Sequence, residues 1–334
     1  MKKISIAIVA GLLISGSSFP QMGGAKMEDL KKIQSRTLLV VLEEPEKKLL
    51  DKLNPEEQAN YQKDIADYNV NIKSAIAHCW KFTEQVEYRN RSEVIMLIKS
   101  KDKKSAYLES SKYKENFATP ATFRATFNRK DIKDKPNLAM PMGDIYKVSE
   151  LDIRLCDDNP LSPPVYGQFM LNVFPNKADL VYALKQIQIY FGYRLKDMSY
   201  GAVLKEANKN GAKLPSLTLL IDEQDTELKN DEIKKVYPYP FELVKKEKID
   251  EAILNADSKY AFAAVIPSGA DSYLFEVYDA AEELELARSA PDQNTGISFG
   301  GGLLDEVKDL TKNKLKKDHF KIFGKFAKKL SKID

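Results

Sequence analysis

Apolar positions along this chain fall into two periodicities. TLLVVL at 37–42 and LTLLI at 217–221 are unbroken apolar runs of strand length, as expected for strands covered on both faces. From Tyr61 the apolar positions instead step at helical spacing through Ile65, Tyr68, Ile72 and Ile76 to Cys79, which predicts a helix ending near Trp80. Its start is marked by Asn54-Pro55-Glu56-Glu57: a capping residue, proline at the first helical position, and glutamate three residues after the cap. A second long helix is predicted with Leu180, Leu184, Ile187, Phe191, Leu195 and Met198 on one face. Strands are predicted near 82–88, 106–110, 165–174, 241–245 and 260–266, with extended segments at 121–129, 144–156 and 272–278. Shorter helices are predicted at 92–99 and 247–256, with another ending near Gly211. DDNPLSPP (157–164) disfavours regular structure and marks a boundary, and PDQNTGISFGGG (291–302) has the composition of a flexible linker.

The two halves match each other. Thr37-Leu38-Leu39-Val40 corresponds to Thr218-Leu219-Leu220-Ile221, and residues 86–109 align without a gap on 241–264. Glu87/Glu242, Asp102/Asp257, Lys104/Lys259 and Ala106/Ala261 are identical pairs. The expected fold class is α/β or α+β, with two related strand–helix–strand modules. The expected divisions are a signal and leader at 1–25, a first module with an inserted long helix at 26–160, a second module at 164–290, the linker, and a tail at 303–334. The unit, a strand followed by FELVKKEKIDEAILNADSKYAFAAV at 241–265 or its counterpart, resembles the small α/β module in the N-terminal domain of the Tol translocation propeller protein. It also resembles the curli-secretion outer-membrane family. The resemblance covers about 50 residues of each half, implies a fold and an envelope context, and transfers no functional residue.

Lys2 and Lys3 precede an apolar core at Ile4–Ile14 and the small residues SGSS, the layout of a secretory signal. The expected location is periplasmic or extracellular. The apolar core is shorter than the roughly 20 residues that cross a bilayer, and the first cysteine is Cys79, so no lipoprotein anchor is expected. In an exported protein Cys79 and Cys156 have two open readings. They pair, closing a loop worth roughly 4–5 kcal/mol, or Cys79 simply continues the apolar stripe of its helix as a core thiol.

The net charge of +3 is unevenly placed, because residues 303–334 carry ten lysines against five acids. That is not the footprint of a nucleic-acid binder. On a helical wheel Leu315, Phe320, Ile322, Phe323, Phe326, Ala327, Leu330 and Ile333 fall within about 160°. Lys321, Lys325 and Lys328 lie among the lysines opposite. Such a helix docks on a domain, or lies on an anionic membrane surface or against an envelope protein partner.

Catalytic signals are sparse. The chain has two histidines, His78 and His319, and lacks HExxH, CxxC and GxxxxGK[ST] patterns, so no metal or cofactor is implied. Gly296-Ile297-Ser298-Phe299-Gly300 fits G-x-S-x-G, but a loop rather than a strand precedes it. Acidic clusters at Glu43-Glu44, Asp157-Asp158, 222–227 and 282–285 are expected at the solvated surface. The expectation is a non-catalytic envelope scaffold or binding protein; the alternative is a secreted hydrolase using paired carboxylates.

Overall fold

The computed structural model describes residues 25–113, 148–159, 162–198, 202–203, 206, 209–269, 272–289 and 314–328. The first sheet contains β1 (Thr37–Leu42), β2 (Val86–Asn90), β3 (Ser105–Tyr113), β4 (Val148–Leu155) and β5 (Tyr166–Met170). Their spatial order is β2-β1-β3-β4-β5; β1 is parallel to β2 and β3, and β4 and β5 continue antiparallel. The second sheet contains β6 (Thr218–Asp222), β7 (Phe241–Val244), β8 (Tyr260–Gly269), β9 (Ser272–Asp279) and β10 (Glu285–Ser289). It repeats the same order and the same directions strand for strand.

The repeat extends to single hydrogen bonds. Thr37 N–H donates to Lys104 O at 3.1 Å and Thr218 N–H to Lys259 O at 3.0 Å. The carboxylates of Asp102 and Asp257 accept from the N–H groups of Lys104 and Lys259 at 3.3 and 3.0 Å. Just before these turns, Lys101 and Ala256 both take positive φ, 53° and 48°, the left-handed step that ends a helix. The identical Asp and Lys pairs of the two halves therefore build one turn twice.

The eight helices named here are α1 (Met27–Ser35), α2 (Lys47–Leu50), α3 (Pro55–Cys79), α4 (Arg91–Lys99), α5 (Lys177–Leu195), α6 (Asn230–Lys234), α7 (Lys246–Leu254) and α8 (Lys317–Lys328). Asn54 caps α3 in a reciprocal capping box with Glu57, and the helix ends at Cys79. Because β2 and β3 lie on opposite sides of β1, same-handed crossovers place α3 and α4 on opposite faces. Leu38 and Val40 accordingly pack in the core with Tyr68, Ile72 and Ile76 of α3, and Leu39 and Val41 with Val94 of α4. In the second sheet α7 takes the place of α4, and the five-residue α6 replaces the 25-residue α3.

Two features differ from the expected organisation. Strand β5 belongs to the first sheet, so the first module runs past the boundary expected at 157–164. The helix after each fifth strand also belongs to its module: α5 covers the first sheet and α8 the second. Helix α5 buries more than its predicted stripe. Leu180, Leu184, Ile187 and Phe191 are joined by Ala178, Val181, Tyr182 and Ala183, because the far side of α5 receives Ile249, Ile253, Phe262, Leu274 and Tyr278 of the second module. One helix thus serves both cores. The predicted extended segment at 121–129 and the signal region lie outside the described residues.

Candidate functional site

Charged side chains tie α5 to the second module. Asn176 caps α5, accepting from Asp179 N–H at 3.0 Å, and its Nδ2 donates to Asp250 Oδ2 on α7 at 2.7 Å. Lys246 Nζ sits 3.0 Å from Asp179 Oδ1 and also pairs with Asp250. Two turns along, Lys185 Nζ lies 2.9 Å from Glu283 Oε1, and Gln186 Nε2 donates to the Glu283 backbone carbonyl at 2.7 Å. Glu283, at φ 56°, turns its carboxylate fully inside. On β9 and β10 the Arg288 guanidinium bridges two carboxylates, 2.7 Å from Glu276 Oε1 and 2.7 Å from Glu285 Oε2, while the Tyr278 hydroxyl donates to Glu276.

Burial dominates the protonation of these acids. It pushes Glu283 from the usual 4.5 up to about 7 against the pull of Lys185, and Glu285 to about 7 against Arg288. At the end of β6, burial and the neighbouring Asp222 push Asp225 up to about 6. A carboxyl whose pKa is higher folded than unfolded favours the fold when protonated, so its contribution is lost as pH rises from about 4.5 through about 7. Asp157 runs the other way. It is held low by its hydrogen bonds from Arg36, at 2.5 and 3.2 Å, and loses its contribution only below about pH 4. Urea unfolding should therefore show greatest stability near pH 5 and a decline on the order of a few kcal/mol by pH 8; a flat or rising profile over that range would contradict the burial of these groups.

The first module has its own polar face. Glu109, Glu150 and Asp152 are all buried, Arg154 lies within 3.4 Å of Asp152 and 3.7 Å of Glu109, and the Ser111 hydroxyl donates to Asp152 at 3.1 Å. Gly167, opposite Asp152, makes room for them: a Cβ there would lie 2.1 Å from Glu150 Oε1 and 2.7 Å from Asp152 Oδ1. At the end of β1, Lys112 pairs with Glu43 at 2.9 Å and lies over the Phe174 ring. Among the described residues, no group of three or more His, Cys, Asp or Glu side chains is arranged to hold a metal ion.

The cysteines are free, which corrects the disulfide reading. Cys79 packs between α3 and α5, its thiol directed at Ala75 O, whereas Cys156 packs with Leu39, Val41 and Val94 on the other face of the sheet. Burial pushes both thiols up to about 12. Neither should react with a thiol reagent in the folded protein at neutral pH. Both should titrate in denaturant without reductant, and fewer than two reactive thiols there would mean a bridge.

Within the tail, Phe320, Phe323 and Ala327 are buried against the second sheet and Phe326 is half-buried, so the apolar face of α8 is docked. Lys321, Lys325 and Lys328 face solvent, and Leu330 lies outside the described residues. His319, buried, stacks on Phe275 at 3.9 Å between ring centroids, and its Nδ1 accepts from Lys316 N–H. The G-x-S-x-G segment lies outside the described residues. The acidic clusters do not share one fate: Asp157 pairs with Arg36, Asp222 caps a 3₁₀ turn through Gln224 N–H, and Glu283 enters the seam. The seam residues were hidden in the sequence because each is a polar residue on a helix or turn that patterning assigns to solvent. No protein-family model, no curated protein and no solved structure matches the chain.

Proposed function

We propose that the protein is an exported, non-catalytic envelope scaffold or binding module that meets a protein partner or an anionic membrane surface through its second module. The observation that supports this reading most is the employment of the interior charges. The perturbed carboxyls Glu283 and Glu285 have structural partners: Lys185 of α5 holds Glu283, and Arg288 pairs with Glu285 within β10 while bridging to Glu276 of β9. Among the described residues, α8 presents Lys317, Lys321, Lys325 and Lys328 to solvent. Cell fractionation tests the reading: a processed chain lacking its first ~20 residues is expected in the envelope fraction, and an uncleaved chain in the cytoplasm would end it. The hydrolase reading finds its nearest match in Glu150 and Asp152 beside Gly167, but both are shut off from solvent. Loss of a glycosidase activity in Asp152→Asn would be needed to prefer it.

A further inference from the structure

We infer that a rigid lysine platform, formed jointly by α8 and the turn after α6, is a binding surface for an anionic phospholipid bilayer, engaged with α8 still docked. The inference rests on the membrane arm of the proposed function and differs from it in mode and in residues. An amphipathic tail taken alone would insert its aromatic face into lipid. Here that face is occupied, with Phe320 and Phe323 fully buried in the core of the second module. What remains for a partner is charge.

Lys317, Lys321, Lys325 and Lys328 are all exposed and recur at spacings of four, four and three along α8, one stripe on the helix. Helix stability does not account for the whole stripe, because a cation at Lys317, in the first turn, opposes the helix dipole. A second element contributes. Gly324 lies in the middle of α8, where a Cβ would come within 3.3 Å of the Val236 carbonyl and 3.9 Å of Tyr237. This close approach seats Val236 and Tyr237 directly on α8, immediately after Lys234 and Lys235, which are both exposed. The acids on these elements are Asp318, which pairs with Lys321 at 2.7 Å, and Asp231 and Glu232 at the start of α6, where Glu232 caps Lys229 N–H. Positive charge therefore prevails.

The corresponding side of α5 in the first module is already an interface, the one that receives α7. Counted from the first residue of each helix, buried Val181 of α5 matches exposed Lys321 of α8, and buried Tyr182 matches half-buried Ile322. An apolar module cannot dock there, but an extended anionic plane can. The cations of the platform are lysines rather than arginines. They are point charges without the bidentate fork that selects individual carboxylates or phosphates, and they suit a laterally averaged negative surface.

The test uses the full mature chain and vesicles of phosphatidylcholine with or without 30% phosphatidylglycerol. A single reporter, Ala327→Cys, sits on the buried side of α8, and the two native thiols, buried in the first module, are silent. Binding is expected to phosphatidylglycerol vesicles only, to fall at least tenfold between low and high salt, and to leave labelling of the reporter as slow as in free protein. Lys234→Glu/Lys235→Glu and Lys321→Glu/Lys325→Glu should each weaken binding several-fold with unchanged thermal unfolding. If only the α8 pair matters, or if the reporter becomes reactive on vesicles, the platform is wrong while a tail-mediated membrane contact stands. If no vesicle binds at all, the membrane arm of the proposed function falls with it.

Discussion

Ending the chain before Lys317 should unfold the second module rather than remove a dispensable tail. Phe320 and Phe323 have no exposed surface and Ala327 has 3%, and they close a core containing Leu219, Ile221, Val277 and Leu286. Without α8 the face of the sheet opposite α7 is opened to water. Each large side chain lost from that core removes roughly 2 kcal/mol of burial, against a total of about 5–15 kcal/mol for an ordinary domain. The truncated chain is expected to lose one unfolding transition, bind a hydrophobic dye and aggregate. Phe323→Ala should lower stability by about 3–5 kcal/mol through the cavity it leaves, measured by urea unfolding followed by circular dichroism. Lys321→Glu, on the opposite side of the same helix, should change it little. Equal midpoints for Phe323→Ala and the parent would show that α8 is not part of the core.

That expectation also marks where sequence periodicity stops being informative. Among the described residues the wheel separates Phe320 and Phe323, which are buried, from Lys317, Lys321, Lys325 and Lys328, which are exposed, yet an amphipathic helix has the same wheel whether it lies on protein or lipid. The decision came from topology: a helix after β10 occupies the place that α5 occupies after β5. Local rules did well where local physics is decisive. The Asn54–Glu57 capping box and the Pro55 start fixed α3, which ends at Cys79 with Trp80 as its cap. The Asp102/Asp257 and Lys104/Lys259 identities pointed to a repeat whose register the strand pairing reproduces. Strand β10 is not visible in the pattern because ELARS is short and half polar, and its two charged residues are half-buried against the neighbouring strand β9. Strand β4 shows the same effect. VSELDIRL alternates like a strand with one wet face, but Glu150 and Asp152 on that face are buried beside Arg154 and Gly167. Alternation reports polarity, not exposure, and the ion pairs that make the difference are tertiary.

Arg288 bridges two carboxylates on β9 and β10, and Arg288→Met should be the most damaging exchange of one charged residue. The guanidinium lies 2.7 Å from both Glu276, which is fully buried, and Glu285. Removing one partner of a buried pair typically costs about 3–5 kcal/mol, because the remaining charge is stranded, whereas removing both sides costs far less. The pH dependence separates this mechanism from simple loss of packing. Burial already holds Glu285 at about 7, and Arg288 is the charge that opposes the rise. Without Arg288 the folded carboxyl holds its proton to still higher pH, so the variant's deficit should be small near pH 5, where the acid is neutral, and widen toward pH 8. Adding Glu276→Gln and Glu285→Gln to Arg288→Met should recover most of the loss at pH 8, since neither amide then needs a cation and glutamine keeps an acceptor for the Tyr278 hydroxyl. Denaturant midpoints at both pH values would show it. A deficit in Arg288→Met that is equal at pH 5 and pH 8, or that the added glutamines leave untouched, would mean that Arg288 acts through its aliphatic stem and that the carboxylates are hydrated.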